Sequence, residues 1–237
     1  MLQWLTRAFS AGGVRMASIT GSASKFQEPS IPTETATFAM GCFWAPEPIF
    51  GGKKGVIRTK VGYTGGTKVN PTYRSLGDHT EAIQIEYDPT QTDYKAMLDV
   101  FWTEHDPTSK HKAQYKSAIY YHNELQHQLA EQTKAEYQKK FNRPIVTDIE
   151  PFGTFYDAEN YHQKYHLREH VSLYNSFNLS DSELIRSHVA TRIHGYLYGY
   201  GAKENFDKDA RDWQLSESQI EYIKKQLAHP RPIECGL

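Results

Sequence analysis

Cysteine is nearly absent from this sequence: 237 residues hold two, Cys42 and Cys235, near opposite ends of the chain. That scarcity excludes a disulfide framework and a four-cysteine metal site, so any function of these thiols rests on reactivity. An excess of one charge is missing too. The formal net charge is −1, from 27 Lys and Arg against 28 Asp and Glu, which gives no chain-wide basic field for nucleic acid. No run of about 18 consecutive apolar residues occurs, which excludes a membrane-spanning helix. What the chain does have is aromatic residues (13%, with 16 Tyr) in a polar background of 38% hydrophobic residues. Such a chain folds, and its length suits one large domain or two small ones whose core needs no covalent staples.

The first 27 residues carry Arg7, Arg15 and Lys25 and no acid, leaving 24 basic and 28 acidic residues in the remainder, net −4. Two readings of this leader stand equally: a mitochondrial transit peptide, or a flexible extension ahead of a second start at Met16. From Glu34 the chain becomes periodic. Thr35 to Met40 and Val56 to Tyr63 read as strands, separated by a short helix from about Ala45 to Gly51-Gly52, because Pro46 and Pro48 fit only a first helical turn. The residues from Thr64 to Asp78 form a loop, and Glu81, Ile83, Ile85 and Tyr87 alternate as one face of a third strand. Tyr94, Met97, Leu98, Phe101 and Trp102 mark a core-facing helix with Thr92 as its cap. Tyr115 to Tyr121 reads as a strand, Glu124 to Phe141 as a helix with Leu125 and Leu129 on its apolar face, and Ile145 to Ile149 as a strand. This alternation predicts a mixed sheet covered by helices. Further helices follow, the last opened by the capping box Ser216 to Gln219, before an irregular tail from His229 to Leu237.

A cysteine between a strand end and a helix N-terminus meets unpaired backbone N–H groups and the positive end of the helix dipole, and both favour thiolate. Cys42 is therefore a candidate nucleophile, with Phe43 and Trp44 as aromatic walls suited to an apolar group such as a methyl. A packed strand end is the plainer reading of Gly-Cys-Phe-Trp. Glu81, in line with Ile83 and Ile85, should be desolvated and protonated, a potential proton donor, unless it sits in a solvated first turn. Tyr63, Tyr73 and Tyr115 add hydroxyl donors. His162, His166 and His170 would share one face of a continuous helix at metal-ligand spacing, but no Glu stands beside the first His and the flanking tyrosines suggest surface packing, so no metal is assigned. Gly62 to Gly66 lacks the Lys-Ser/Thr ending of a phosphate loop, and the lysines around Lys134 to Lys140 alternate with Glu131 and Glu136 as a solvated face.

Taken in order, Gly41-Cys42-Phe43-Trp44, Val61-Gly62-Tyr63-Thr64-Gly65-Gly66, Asn70-Pro71-Thr72-Tyr73, His79-Thr80-Glu81-Ala82, Tyr87-Asp88-Pro89, Phe101-Trp102, His105-Asp106-Pro107, Gln114 to Tyr120 and Ala158 to Tyr165 closely resemble the A-type peptide methionine sulfoxide reductases. The resemblance runs from about Glu34 to His170. It implies an α+β fold, a two-layer mixed sheet with a ferredoxin-like core, here with a helical C-terminal extension. The expected division is a leader over 1–33, a catalytic domain over 34–175 and the extension over 176–237.

The resemblance also implies roles. Cys42 attacks the sulfoxide sulfur, Glu81 protonates the sulfoxide oxygen, Tyr73 and Tyr115 hydrogen-bond that oxygen, and Phe43 with Trp44 receives the substrate methyl group. A sulfoxide carries a polar oxygen and an apolar methyl on one chiral sulfur, so opposed polar and aromatic walls select one epimer, the S form in this family. Cys42 is left as sulfenic acid, Cys235 is the expected resolving thiol, and thioredoxin is the external reductant with no bound cofactor. Expected substrates are oxidised proteins and peptides, with free methionine sulfoxide left open, for a monomer in mitochondria, the cytoplasm or both. A noncatalytic binder of oxidised methionine is the competing class. The chain departs from the family pattern at Ala45-Pro46, where Gly is common, and lacks an Asn-Asp-Gly-Thr-like segment after Pro107 whose Asp joins the polar pocket. No residue is expected to inherit that Asp's role.

Overall fold

The computed structural model describes residues 26–233. Strand β1 (Glu34–Met40), helix α1 (Pro46–Gly52), strands β2 (Val56–Thr64) and β3 (Thr80–Tyr87), helix α2 (Tyr94–Thr103) and strand β4 (Ser117–Tyr121) follow one another as βαββαβ. Their strands lie in the order β4-β1-β3-β2 with every neighbouring pair antiparallel, which is the expected ferredoxin-like core. Helix α3 (Glu124–Gln138) then leads to β5 (Asp148–Pro151), which joins β4 in parallel, and β6 (Tyr156–Asp157) pairs with β2. The result is one mixed six-stranded sheet.

Period-two alternation builds the core. Ala36, Phe38 and Met40 of β1 and Ile83, Ile85 and Tyr87 of β3 share one buried cluster with Phe50 of α1 and with Met97, Leu98, Phe101 and Trp102 of α2. Local details differ from the sequence expectation. Asp93, not Thr92, caps α2, accepting from the Ala96 N–H at 2.7 Å. Tyr115 lies in a 3-10 turn, Ala113–Tyr115, rather than in β4. Leu125 is exposed on α3, and Gln126 is buried in its stead because its amide bonds the Thr35 carbonyl and the His122 N–H. A buried amide with both ends satisfied defeats a pattern that counts only apolar side chains.

The remaining described residues form a second core. Helices α4 (Tyr165–Arg168), α5 (Val171–Phe177), α6 (Asp181–Arg186), α7 (His188–Leu197), α8 (Lys203–Asp212) and α9 (Glu217–Ala228) enclose Leu167, Phe177, Leu184, Ile193, Phe206 and Ile223, and α9 opens with the expected capping box of Ser216 and Gln219. Phe26 packs edge-on against Phe177, and Glu28 accepts from the His188 N–H at 2.8 Å. Part of the segment expected to be a flexible leader is thus seated on this helical unit.

Helix α7 crosses α1 at glycines. A Cβ on Gly195 would stand 2.1 Å from the Gly52 nitrogen, so only glycine permits this approach. Arg192 seals the crossing, donating to the Gly51 and Lys53 carbonyls at 2.9 and 2.7 Å. Beneath it, the fully buried Lys164 ammonium bonds Glu47 of α1 and the Thr59 carbonyl of β2, each at 2.6 Å. Lys164 itself adopts left-handed geometry (φ 53°), which interrupts any helix through this stretch. His162, His166 and His170 therefore do not share one helix face: His162 precedes α4, His166 bonds Glu169 and His170 bonds Tyr222.

Candidate active site

Cys42 follows β1 through Gly41, whose φ of +87° turns the chain where a side chain would be strained. The thiol residue is half-buried, between the end of β1 and α1, which starts at Pro46 as its first-turn prolines require. The departure at Ala45-Pro46 thus leaves the expected helix start in place, with Ala45 as a cap that makes no side-chain bond.

Glu81 lies near the start of β3 on the face of Ile83 and Ile85, 1% exposed, so the solvated-turn alternative does not hold. Its Oε2 accepts from the Phe43 N–H at 3.1 Å, and its Oε1 accepts from Gln114 Nε2 at 2.8 Å. Burial pushes its carboxyl from 4.5 up to about 7, against the opposing pull of the Gln114 bond, the Phe43 N–H and the Lys112 charge. The carboxyl is therefore part-protonated at neutral pH and one peptide group away from the thiol residue. Gln114 is held for this contact by its turn, since Thr80 Oγ1 donates to the Ala113 carbonyl at 2.9 Å.

Tyr115 and Tyr73 converge on the same place. Burial, followed by the Tyr73 hydroxyl and the charges of Glu81 and Cys42, holds the Tyr115 hydroxyl above its ordinary range, so it remains a donor. Tyr63 pairs with Glu81 across β2 and β3 and packs its ring 5.9 Å from Phe43, but its hydroxyl is spent elsewhere: it donates to Glu159 Oε2 at 2.7 Å, while Glu159 Oε1 accepts from the Tyr73 N–H at 3.0 Å. Glu159 thereby fixes the backbone of Tyr73. Although burial acts against it, these bonds hold the Glu159 carboxylate below its ordinary value.

The aromatic side of the site is organised by His162. Its ring lies 5.0 Å from Phe43, 5.8 Å from Trp44 and 4.6 Å from Tyr73 between centroids. The Trp44 indole N–H donates to His162 Nδ1 at 3.1 Å, while the indole stacks on Tyr165 at 3.7 Å and 4°. Burial, opposed by Glu159, lowers the His162 imidazole to about 4, so it is neutral and the Trp44 bond assigns its ring proton to Nε2. Of the residues nominated from sequence, Cys42, Phe43, Trp44, Glu81, Tyr73 and Tyr115 belong to one site. Cys235 lies outside the described residues. Sequence reasoning assigned no role to Gln114, Glu159 or the packed His162, because their partners come from other strands and turns.

A half-buried thiol, a carboxyl poised between its charge states, paired phenols and an aromatic wall on a ferredoxin-like core suit a cysteine-based enzyme. The family model for peptide methionine sulfoxide reductase matches residues 34–192, and that for the helical domain of selenoprotein methionine sulfoxide reductase A matches residues 178–227. A peptide methionine sulfoxide reductase of Drosophila melanogaster is 45% identical over 202 residues, spanning 84% of this chain and 82% of its own length. The peptide methionine sulfoxide reductase MsrA of Methanosarcina acetivorans is 46% identical over 152 residues, 59% of this chain and 81% of its own. Among solved structures, reduced Mxr1 from Saccharomyces cerevisiae superposes with a TM-score of 0.54 at 29% identity, over 59% of this chain and 87% of that one. Methionine sulfoxide reductase A of Corynebacterium diphtheriae gives 0.53 at 33% identity, over 59% and 76%. The chain belongs to the peptide methionine sulfoxide reductase family.

Proposed function

We propose that this protein reduces methionine-S-sulfoxide in proteins and peptides, with Cys42 as the attacking thiolate and Glu81 as the proton donor. The observation that supports this most is the Glu81 carboxyl, buried, bonded to the Phe43 N–H and raised to about 7. A sulfoxide oxygen is a poor leaving group until protonated, and a carboxyl near 7 still holds its proton at the pH where a thiol begins to ionise. Tyr73 and Tyr115 hydrogen-bond the oxygen, and the Phe43 and Trp44 side of the site takes the methyl group. The Cys42 sulfur attacks the sulfoxide sulfur, the oxygen passes to Cys42, methionine leaves with two electrons gained, and Cys42 becomes a sulfenic acid. A second thiol, Cys235, condenses with it to a disulfide and water, and the dithiol of thioredoxin reduces that disulfide.

In the same reading, 34–175 is the catalytic domain and 176–237 a helical extension carrying the resolving thiol. The protein acts as a monomer in mitochondria, the cytoplasm or both. The test is turnover of a methionine-S-sulfoxide peptide with dithiothreitol. Methionine formation is expected, whereas stoichiometric binding without product would assign the pocket to recognition alone.

A further inference from the structure

Tyr161 presents a large aromatic ring that is 53% exposed, on a backbone that is fixed on both sides. Glu159 is tied to Tyr73 and Tyr63, Asn160 Nδ2 donates to Asp181 at 2.8 Å, and Gln163 bonds both the N–H and the carbonyl of Val61 at 3.0 and 2.8 Å. A solvent-facing aromatic on an immobilised backbone needs little further ordering when a partner covers it, which is the property of a docking anchor.

Its position says which partner. The Tyr161 ring packs on His162 at 4.1 Å between centroids, and His162 also neighbours Phe43, Trp44 and Tyr73. Tyr161 is thus one ring outward from the aromatic wall of the site. Arg74, directly after Tyr73, is exposed and forms no ion pair among the described residues, and the Tyr161 hydroxyl feels its charge together with the larger, opposite one of Glu159. Tyr73 and Tyr161 both pack on His162, so an aromatic shelf near an exposed guanidinium with no ion pair is complementary to an apolar side chain followed or preceded by an acidic one.

We propose that Tyr161 and Arg74 form a docking platform for the polypeptide flanking the oxidised methionine, with a neighbouring apolar side chain on Tyr161 and an acidic neighbour at Arg74. This rests on the reductase reading of the Cys42 site and adds a specificity element outside the reacting groups. The test compares N-acetyl-methionine-S-sulfoxide with short peptides centred on methionine-S-sulfoxide that carry Asp or Lys beside it, using dithiothreitol. Wild type should favour the Asp peptide. Tyr161→Ala should lower kcat/KM on both peptides about three- to tenfold, mainly through KM, and leave the acetylated amino acid within about twofold. Tyr161→Phe should restore the peptide rate, and Arg74→Gln should remove the preference for Asp over Lys. Equal losses on peptide and amino acid, or unchanged peptide kinetics in both variants, would overturn the platform. A wild-type protein that forms no methionine from any of these substrates would instead overturn the reductase reading beneath it.

Discussion

The backbone N–H of Phe43 donates to Glu81 Oε2 at 3.1 Å, joining the residue after the thiol to the buried carboxyl at the start of β3. Because Oε1 is taken by Gln114, both oxygens are anchored to protein and the carboxyl cannot swing away from Cys42 without losing a bond. Two sequence segments 38 residues apart therefore act as one unit.

The first consequence concerns rate. Glu81→Gln keeps the size of the side chain but removes the acid, and general acid catalysis contributes about 10²- to 10⁴-fold. Single-turnover methionine release should fall by about that factor with little change in substrate binding. In wild type the same rate should decline as pH rises through about 7, where Glu81 loses its proton. The declining limb should be absent from Glu81→Gln; an unchanged rate would discard the acid assignment.

A second consequence concerns stability, with the opposite sign to most carboxylates. Burial raises Glu81 from 4.5 to about 7 in the folded protein, so the folded state binds the proton more tightly than the unfolded state. With respect to this group, wild type should be most stable below about pH 4.5 and lose about 3 kcal/mol as pH rises from about 4.5 through 7. Because buried histidines such as His105 and His162 titrate in the opposite direction over the same range, the test is the difference: between pH 5 and 8 denaturant titrations should show wild type losing about 2–3 kcal/mol relative to Glu81→Gln.

The α1 to α7 crossing should tolerate no side chain. Gly195→Ala would bring a Cβ to 2.1 Å from the Gly52 nitrogen, and overpacking of this kind costs about 1–3 kcal/mol. Gly153→Ala, where a Cβ meets nothing within 4 Å, is the control and should stay within about 0.5 kcal/mol. Thermal unfolding of the two variants checks the difference.

The buried pair of Lys164 and Glu47 should be strongly coupled. Removing one partner leaves a charge at a fully buried position, a loss of about 3–5 kcal/mol for Lys164→Met or for Glu47→Gln alone. The double variant should recover much of that loss, and a double-mutant cycle showing additive effects would contradict the coupling.

For recycling, Cys235→Ser should retain turnover with dithiothreitol and lose most turnover with thioredoxin. Unchanged thioredoxin kinetics would remove Cys235 from the resolving role.

Much of this was legible in the sequence because it is carried by short-range pattern. The strand alternation through Glu81 and Ile83, the first-turn prolines of α1 and the capping box at Ser216 are each decided by nearest neighbours, and each has its expected place. The ordered motifs carried Cys42, Glu81, Tyr73 and Tyr115 to one site. What could not be read is contact across the fold. Gln114 reaches Glu81 only because Thr80 holds its turn, Glu159 meets Tyr73 across 86 residues, and the three histidines lost their shared face to one left-handed residue, Lys164. The docking of α7 on α1 depends on glycines 143 residues apart, Gly52 and Gly195, and no local period announces such a pair.

In the proposed reaction the oxygen of the substrate passes to Cys42. Cys235→Ser, incubated with a methionine-S-sulfoxide peptide and no reductant, should release one methionine per protein and gain one oxygen in mass on the peptide containing Cys42. Methionine released with no oxygen on Cys42, or no methionine released from a folded protein, would contradict the account.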